Sequence, residues 1–250
     1  YEEQIEAIEA AGSPVILMAS RALARIARSA DDYVTVYDRL LGGLREPAIL
    51  HWLGEMFDPQ LQGYWGSRDI PAAMATVIAI IQGRPEKVAG IKVSLLEERW
   101  EIEMRQRLPH GVRMFTGDDF SFADLIYGDE RGHSDALLGI FDAIAPAASA
   151  ALVRLAAGDG KGYREILNPT VPLSRHIFAS PTRFYKTGIV FLAWLNGHQD
   201  HFVMVGGQQS GRSLIHLAEI VRLADKASLI RDPDLAASRA ATLLALHGVT

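Results

Sequence analysis

Short apolar runs alternate with amphipathic stretches along the first 140 or so residues. "PVILMAS" (14–20), "EPAILHW" (46–52) and "VAGIKVS" (88–94) are continuously apolar over strand length, the pattern of a sheet buried on both faces. "GVRMFTGDD" (111–119) predicts a fourth strand and turn, and "DALLGIF" (135–141) a fifth. Between them lie helical periods. "SADDYVTVYDRLLGGL" (29–44) puts Tyr33, Val36, Tyr37, Leu40 and Leu41 on one face, behind Ser29 or Asp31 as cap. "DIPAAMATVIAIIQG" (69–83) carries Pro71 early, where proline is tolerated. "LLEERWEIEMRQRL" (95–108) is the third helix of this set.

Strand, helix, strand, helix with short connections implies parallel βαβ units and an α/β fold. After about residue 142 the alternation stops. "APAASAALVRLAAGDG", the stretch over 161–178, "PTRFYKTGIVFLAWLNG", "SGRSLIHLAEIVRLADKAS" and "DPDLAASRAATLLALHG" all predict helices. The expected organisation is one domain, with β/α units over residues 1–158 and a helical region packed on them over 159–250. "YEEQIEAIEAAG" begins the chain inside a helical pattern that Gly12 stops, and the expectation is that the natural chain starts further upstream.

In parallel α/β folds function collects at the carboxyl ends of the strands. Those ends are polar here. The first strand ends in Ser20 and Arg21, the second in His51, the third in Lys92 and Ser94, the fourth in Thr116, Asp118 and Asp119. His133, Ser134 and Asp135 lie near the fifth. Each also admits a plainer role. Lys92 and Asp118 would make a structural ion pair, His51 a hydrogen-bonded core histidine, and Asp118 or Asp119 a helix cap. "HSD" reads as a cap or as metal ligands, and "GYWG" (63–66) as an aromatic anchor for a loop.

Composition narrows the chemistry. Of 250 residues, 49% are hydrophobic and 22% charged, as in ordinary globular chains, and the net charge is −5. No basic stripe suggests nucleic acid as a partner, and no apolar run reaches the length of a membrane span. There is no cysteine, which removes thiol nucleophiles, cysteine-ligated zinc and disulfides, and suits a reducing cytoplasm.

At "GIKVSLLEER" (90–99), "VRMFTGDD" (112–119) and "IAPAASAAL" (144–152) the sequence resembles the dihydrodipicolinate synthase and N-acetylneuraminate lyase superfamily. Pro146 matches the proline that starts a helix there, "EPAILHWLG" and "PVILMASRA" are similar to two earlier strands, and Lys186 matches a lysine ahead of a late apolar run. The finer wording, "ILHWLG", "GDDF", "HSDALLGIFDAIAP" and "PTVPLSRHIF", looks more closely like a bacterial family of unassigned function labelled dihydrodipicolinate synthase family proteins.

The resemblance implies a TIM (β/α)8 barrel of class I aldolase type, lacking its first three β/α units and carrying a helical extension. It implies that Lys92 forms a Schiff base and that His51, where the superfamily has a proton-relay tyrosine, is the general acid/base. Arg21 and Ser20 would hold a carboxylate or phosphate, and Ser94, Asp118 and Asp119 would line the substrate. The superfamily's Gly-Thr-Thr carboxylate grip is missing, which favours a sugar-derived keto compound over pyruvate. No cofactor is called for. The expected partners are a small-molecule substrate and further copies of the chain. Two other readings stand beside this one: a divalent-metal enzyme ligated by His51, Asp118, Asp119 and His133, or a barrel serving only as a binding subunit. Aligned from Pro146, His133 falls at the amino end of its strand; aligned from "GDD", it nears the mouth.

Overall fold

The structure is a computed structural model describing residues 1–249. Two compact units divide it, residues 1–138 and 139–250.

The first unit is α/β. Its elements are α1 (Glu2–Ala10), β1 (Ile16–Leu17), α2 (Arg21–Ile26), α3 (Ala30–Gly43), β2 (Ala48–Leu53), α4 (Ile70–Gly83), β3 (Val88–Ser94), α5 (Glu98–Arg105), β4 (Arg113–Thr116), α6 (Phe122–Tyr127) and β5 (Asp135–Ala136). The five strands are all parallel and follow one another in chain order across the sheet. Local chemistry sets the helix starts. The Ser29 N–H donates to the Asp32 carboxylate at 3.2 Å, and Asp69, two residues before Pro71, accepts from the Ala72 N–H at 3.0 Å.

Side-chain alternation sorts the strands into two faces. At the rear, Ala48, Leu50, Trp52, Ile91, Val93 and Met114 are buried in a core shared with Tyr37, Leu41, Val77 and Ile81 of α3 and α4. The front carries Ile16, Met18, Ile49, His51, Lys92 and Phe115. It is less covered: Met18 is 46% exposed. "GYWG" anchors the loop after β2 as expected. Trp65 is fully buried although its φ is 73°, with Tyr37 at 4.7 Å and Tyr64 at 4.9 Å between ring centres.

The second unit is helical: α7 (Phe141–Ala156), α8 (Gly160–Leu167), α9 (Val171–Ile177), α10 (Tyr185–Leu195), α11 (Leu214–Lys226) and α12 (Pro233–Leu246). The alternation would assign α7 to the last β/α unit, whereas its packing groups it with these helices.

Several boundaries differ from expectation. Residues 14–20 and 135–141 read as full strands, but only two residues of each pair in the sheet. At the first, Ser20 leaves the strand to cap α2, its Oγ accepting from the Leu23 N–H at 3.2 Å. At the second, the Ile140 carbonyl already accepts from Ala143 and Ile144, which begins α7. The helix expected over 161–178 is broken between Leu167 and Val171, where Pro169 and Pro172 remove backbone donors. No helix among the described residues is long and apolar enough to cross a membrane.

Candidate active site at the carboxyl ends of the strands

His51 and Lys92 are direct partners in the β2–β3 ladder, and Phe115 is the partner of Lys92 on β4. All three therefore share the front face, in one row. Ser94, two residues beyond Lys92, returns to that face. Its Oγ lies 3.0 Å from His51 Nε2, and Met18 Sδ lies 3.0 Å from His51 Nδ1. Thus β1, β2 and β3 hold the imidazole from both sides.

Electrostatics follow from this packing. His51 is 5% exposed. Burial, and then the positive charge of Lys92, lower its pKa from 6.5 to about 3. At neutral pH His51 is an uncharged, oriented imidazole rather than a standing acid. Lys92 itself is half-buried.

Gly117 makes the arrangement possible. A Cβ at this position would stand 2.0 Å from Ser94 Oγ and 2.8 Å from Lys92 Cε. In the sequence the two carboxylates of "GDD" stand out, and the glycine between Thr116 and Asp118 carries no chemical signal. Gly90 does the same one residue pair back: a Cβ there would lie 2.5 Å from the Phe115 ring.

The remaining candidates are distributed more widely. Ser20 caps α2 and donates its N–H to Tyr64 Oη at 3.0 Å. Arg21 begins α2 with its side chain 63% exposed, and its Nε pairs with Asp58 Oδ2 at 2.5 Å. Asp118 is buried, and its Oδ1 accepts from the backbone N–H groups of Phe120 and Ser121 at 2.7 and 2.8 Å. Both donors lie ahead of Phe122, where α6 starts behind Ser121 as its N-cap, so Asp118 closes the turn before that helix rather than capping it. Asp119 is buried beside it.

His133 precedes β5, whose first residue, Asp135, is level with Phe115. It is exposed at the amino end of that strand, the first of the two placements considered. The quartet His51, Asp118, Asp119 and His133 is not assembled, because His133 lies at the opposite end of the strands from the two aspartates. Among the described residues no three His, Cys, Asp or Glu side chains come together as a cation site.

One further titratable group gives little sign of itself in the sequence. Glu101 of α5 is 1% exposed, packed against the rear of the sheet. The Thr116 and Ser134 hydroxyls are beside it, with Asp118 and Arg105 as the nearest charges. Burial above all, opposed by those hydroxyls, raises its pKa from 4.5 to about 8. The available signal was periodicity: Glu101 is three residues before Met104, which is fully buried on the same helix.

Comparison with known proteins gives the family. The family described as "Protein of unknown function (DUF993)" matches residues 1–249, and the chain belongs to that family. No curated protein matches it. Among solved structures, the chain is similar to one described as "a putative dihydrodipicolinate synthetase from Pseudomonas aeruginosa". That similarity has a TM-score of 0.62 at 13% identity, covering 89% of this chain and 80% of the other. Likeness at this identity speaks to the fold alone, an α/β fold built on a parallel sheet.

Proposed function

We propose that this member of the DUF993 family is a Schiff-base lyase or aldolase, acting through Lys92 on a small keto acid or sugar-derived keto compound. The observation that carries the reading is the grouping of Lys92, His51 and Ser94 on one sheet face, at the strand ends, with Lys92 and Ser94 packed against the bare backbone of Gly117. The reading takes the five-stranded sheet as part of a barrel of class I aldolase type, and the likeness of fold supports that.

The amine must be neutral to attack a carbonyl carbon. Attack gives a carbinolamine. Loss of its hydroxyl as water gives the imine, which when protonated draws electrons from the adjacent bond. Water can leave only if the hydroxyl receives a proton. The carbinolamine nitrogen sheds that proton as the C=N bond forms, and the Ser94 hydroxyl, 3.0 Å from His51 Nε2, supplies a path for it to the leaving oxygen. An uncharged His51 places no second positive charge beside the iminium. Arg21 would take a substrate carboxylate or phosphate by exchanging its partner Asp58. Ser20, Asp118 and Asp119 would meet other polar groups of the substrate. Self-association and a cytoplasmic address belong to the same reading.

The test is borohydride trapping with a panel of keto acids and ketoses, read by peptide mass spectrometry. A reduced adduct on Lys92, absent in Lys92→Met, is the expected result. No adduct with any member, beside a working aldolase control, would overturn the proposal.

A further inference from the structure

Behind the sheet, opposite the Lys92 face, lies a buried polar cluster that the chemistry above does not use. Its centre is the Glu101 carboxyl, neither oxygen of which has a hydrogen bond of full geometry. Around it stand Thr116 of β4, Ser134 ahead of β5, Asp118 of the β4–α6 turn, and Arg105 of its own helix. Arg105 reaches Ser134 Oγ at 3.4 Å and Asp129 at 3.1 Å. A carboxyl so deeply buried is costly if its only role is to fill space.

The cluster bears on the front face through one turn. Thr116 Oγ1 accepts from the Asp118 N–H at 3.1 Å, and Asp118 in turn accepts from the Phe120 and Ser121 N–H groups, closing the turn ahead of α6. Between these two residues is Gly117, whose N–H donates to the Val93 carbonyl at 2.8 Å. Gly117 is the residue that lies against Ser94 Oγ and Lys92 Cε. Anything that moves Thr116 or Asp118 moves the wall of the lysine.

We propose that Glu101 is a positioning residue for Lys92, acting from the rear of the sheet through the Thr116–Gly117–Asp118 turn. The inference rests on Lys92 being the reactive amine. In its neutral form Glu101 sits beside Asp118 without repulsion and offers an O–H to the cluster. Once ionised, it sets a second buried negative charge against Asp118, and Arg105, already engaged by Asp129, offsets this only in part. The turn then shifts, and the space around Lys92 Cε shifts with it. With its pKa near 8, Glu101 makes this change just above neutral pH.

The test follows the reactivity of Lys92 without any keto substrate. Trace reductive methylation with formaldehyde and cyanoborohydride is run from mildly acidic to alkaline pH. Peptide mass spectrometry then gives the rate at Lys92 relative to Lys161, whose side chain is 87% exposed. In the wild-type chain the ratio should show a step near pH 8. Glu101→Gln, nearly isosteric with the neutral acid, should match wild type below the step and lack the step. Glu101→Ala should depart from wild type by several-fold across the range; if it does not fold, Glu101→Gln alone decides. A step retained in Glu101→Gln, or no step in wild type, would overturn the inference. Because labelling needs no keto compound, the two proposals fail separately. Trapping that fails while the Glu101-dependent step remains removes the Schiff-base reading, and the reverse pattern removes only the positioning role.

Discussion

Replacing Gly117 by alanine tests the geometry most directly. The backbone here is not in the left-handed region, so the added methyl meets steric resistance only. It would stand 2.0 Å from Ser94 Oγ, 2.8 Å from Lys92 Cε and 2.8 Å from the Val93 carbonyl oxygen. The first two neighbours can rotate away. The third cannot, because the same carbonyl accepts the Gly117 N–H and fixes the β3–β4 junction. Alanine reduces the freedom of the unfolded chain, which favours the variant by about 0.4–1 kcal/mol. Overpacking costs about 1–3 kcal/mol. The net expectation is a loss of about 1–2 kcal/mol in urea unfolding. The functional effect should be larger than the stability effect. Ser94 must turn its hydroxyl away, which breaks its 3.0 Å contact with His51, and the lysine must leave its wall. Borohydride trapping at Lys92 should therefore fall well below the wild-type yield in protein that remains folded. Gly83→Ala, where an added Cβ meets nothing within 4 Å, is the control and should be neutral or slightly stabilising. A Gly117→Ala chain as stable and as readily trapped as wild type would refute the packing argument.

Two expectations concern pH. His51 should not titrate between pH 5 and 8 when its ring signals are followed by NMR, and Lys92→Met should raise its pKa from about 3 by removing the neighbouring charge. Since the folded pKa lies below the ordinary 6.5, stability through His51 is lost as pH falls from 6.5 toward 3, where the unfolded chain takes up a proton that the native one refuses. Glu101 has the opposite sign: its folded pKa is raised, so stability is undiminished below pH 4.5 and is lost as pH rises from there to about 8. By linkage the loss is at most about 5 kcal/mol, and urea unfolding of Glu101→Gln should show a correspondingly flatter fall with rising pH.

How much of this was legible depends on the kind of signal each residue gives. Continuous apolar runs located β2 and β3, and polar residues at their carboxyl ends pointed to His51 and Lys92. The short edge strands were harder. "PVILMAS" and "DALLGIF" have strand composition, but whether a residue pairs depends on where the neighbouring strand stops and the next helix is capped. Ser20 and Ile140 decide that through backbone bonds that composition does not encode. His133 shows the same limit in another form, since two alignments fitted the sequence and only the position of Asp135 in the ladder chose between them.

The "TGDD" segment shows why a motif can be recognised and still be read from the wrong residue. Along a strand, alternate residues face opposite sides. Lys92 is paired with Phe115, so Thr116 falls at the rear and Gly117 at the front. The carboxylates that draw the eye in the sequence sit beyond this division, and Asp118 spends one oxygen on the turn ahead of α6. The glycine, which offers no chemistry of its own, is the part that touches Lys92. Glu101 is the complementary case. It has evident chemistry but lies within "EERWEIEMR", where one more acidic residue among several looks like a solvated face. Only its spacing from Met104 sets it apart from Glu97 and Glu98, which are exposed. Front and rear are thus joined by three consecutive residues: Thr116 takes the Glu101 side, Gly117 the Lys92 side, and Asp118 fixes the turn that follows. A charge change at the rear and a methyl added at the front should therefore disturb the same amine, and above the Glu101 pKa of about 8 the two perturbations should be non-additive when combined in Gly117→Ala, Glu101→Gln.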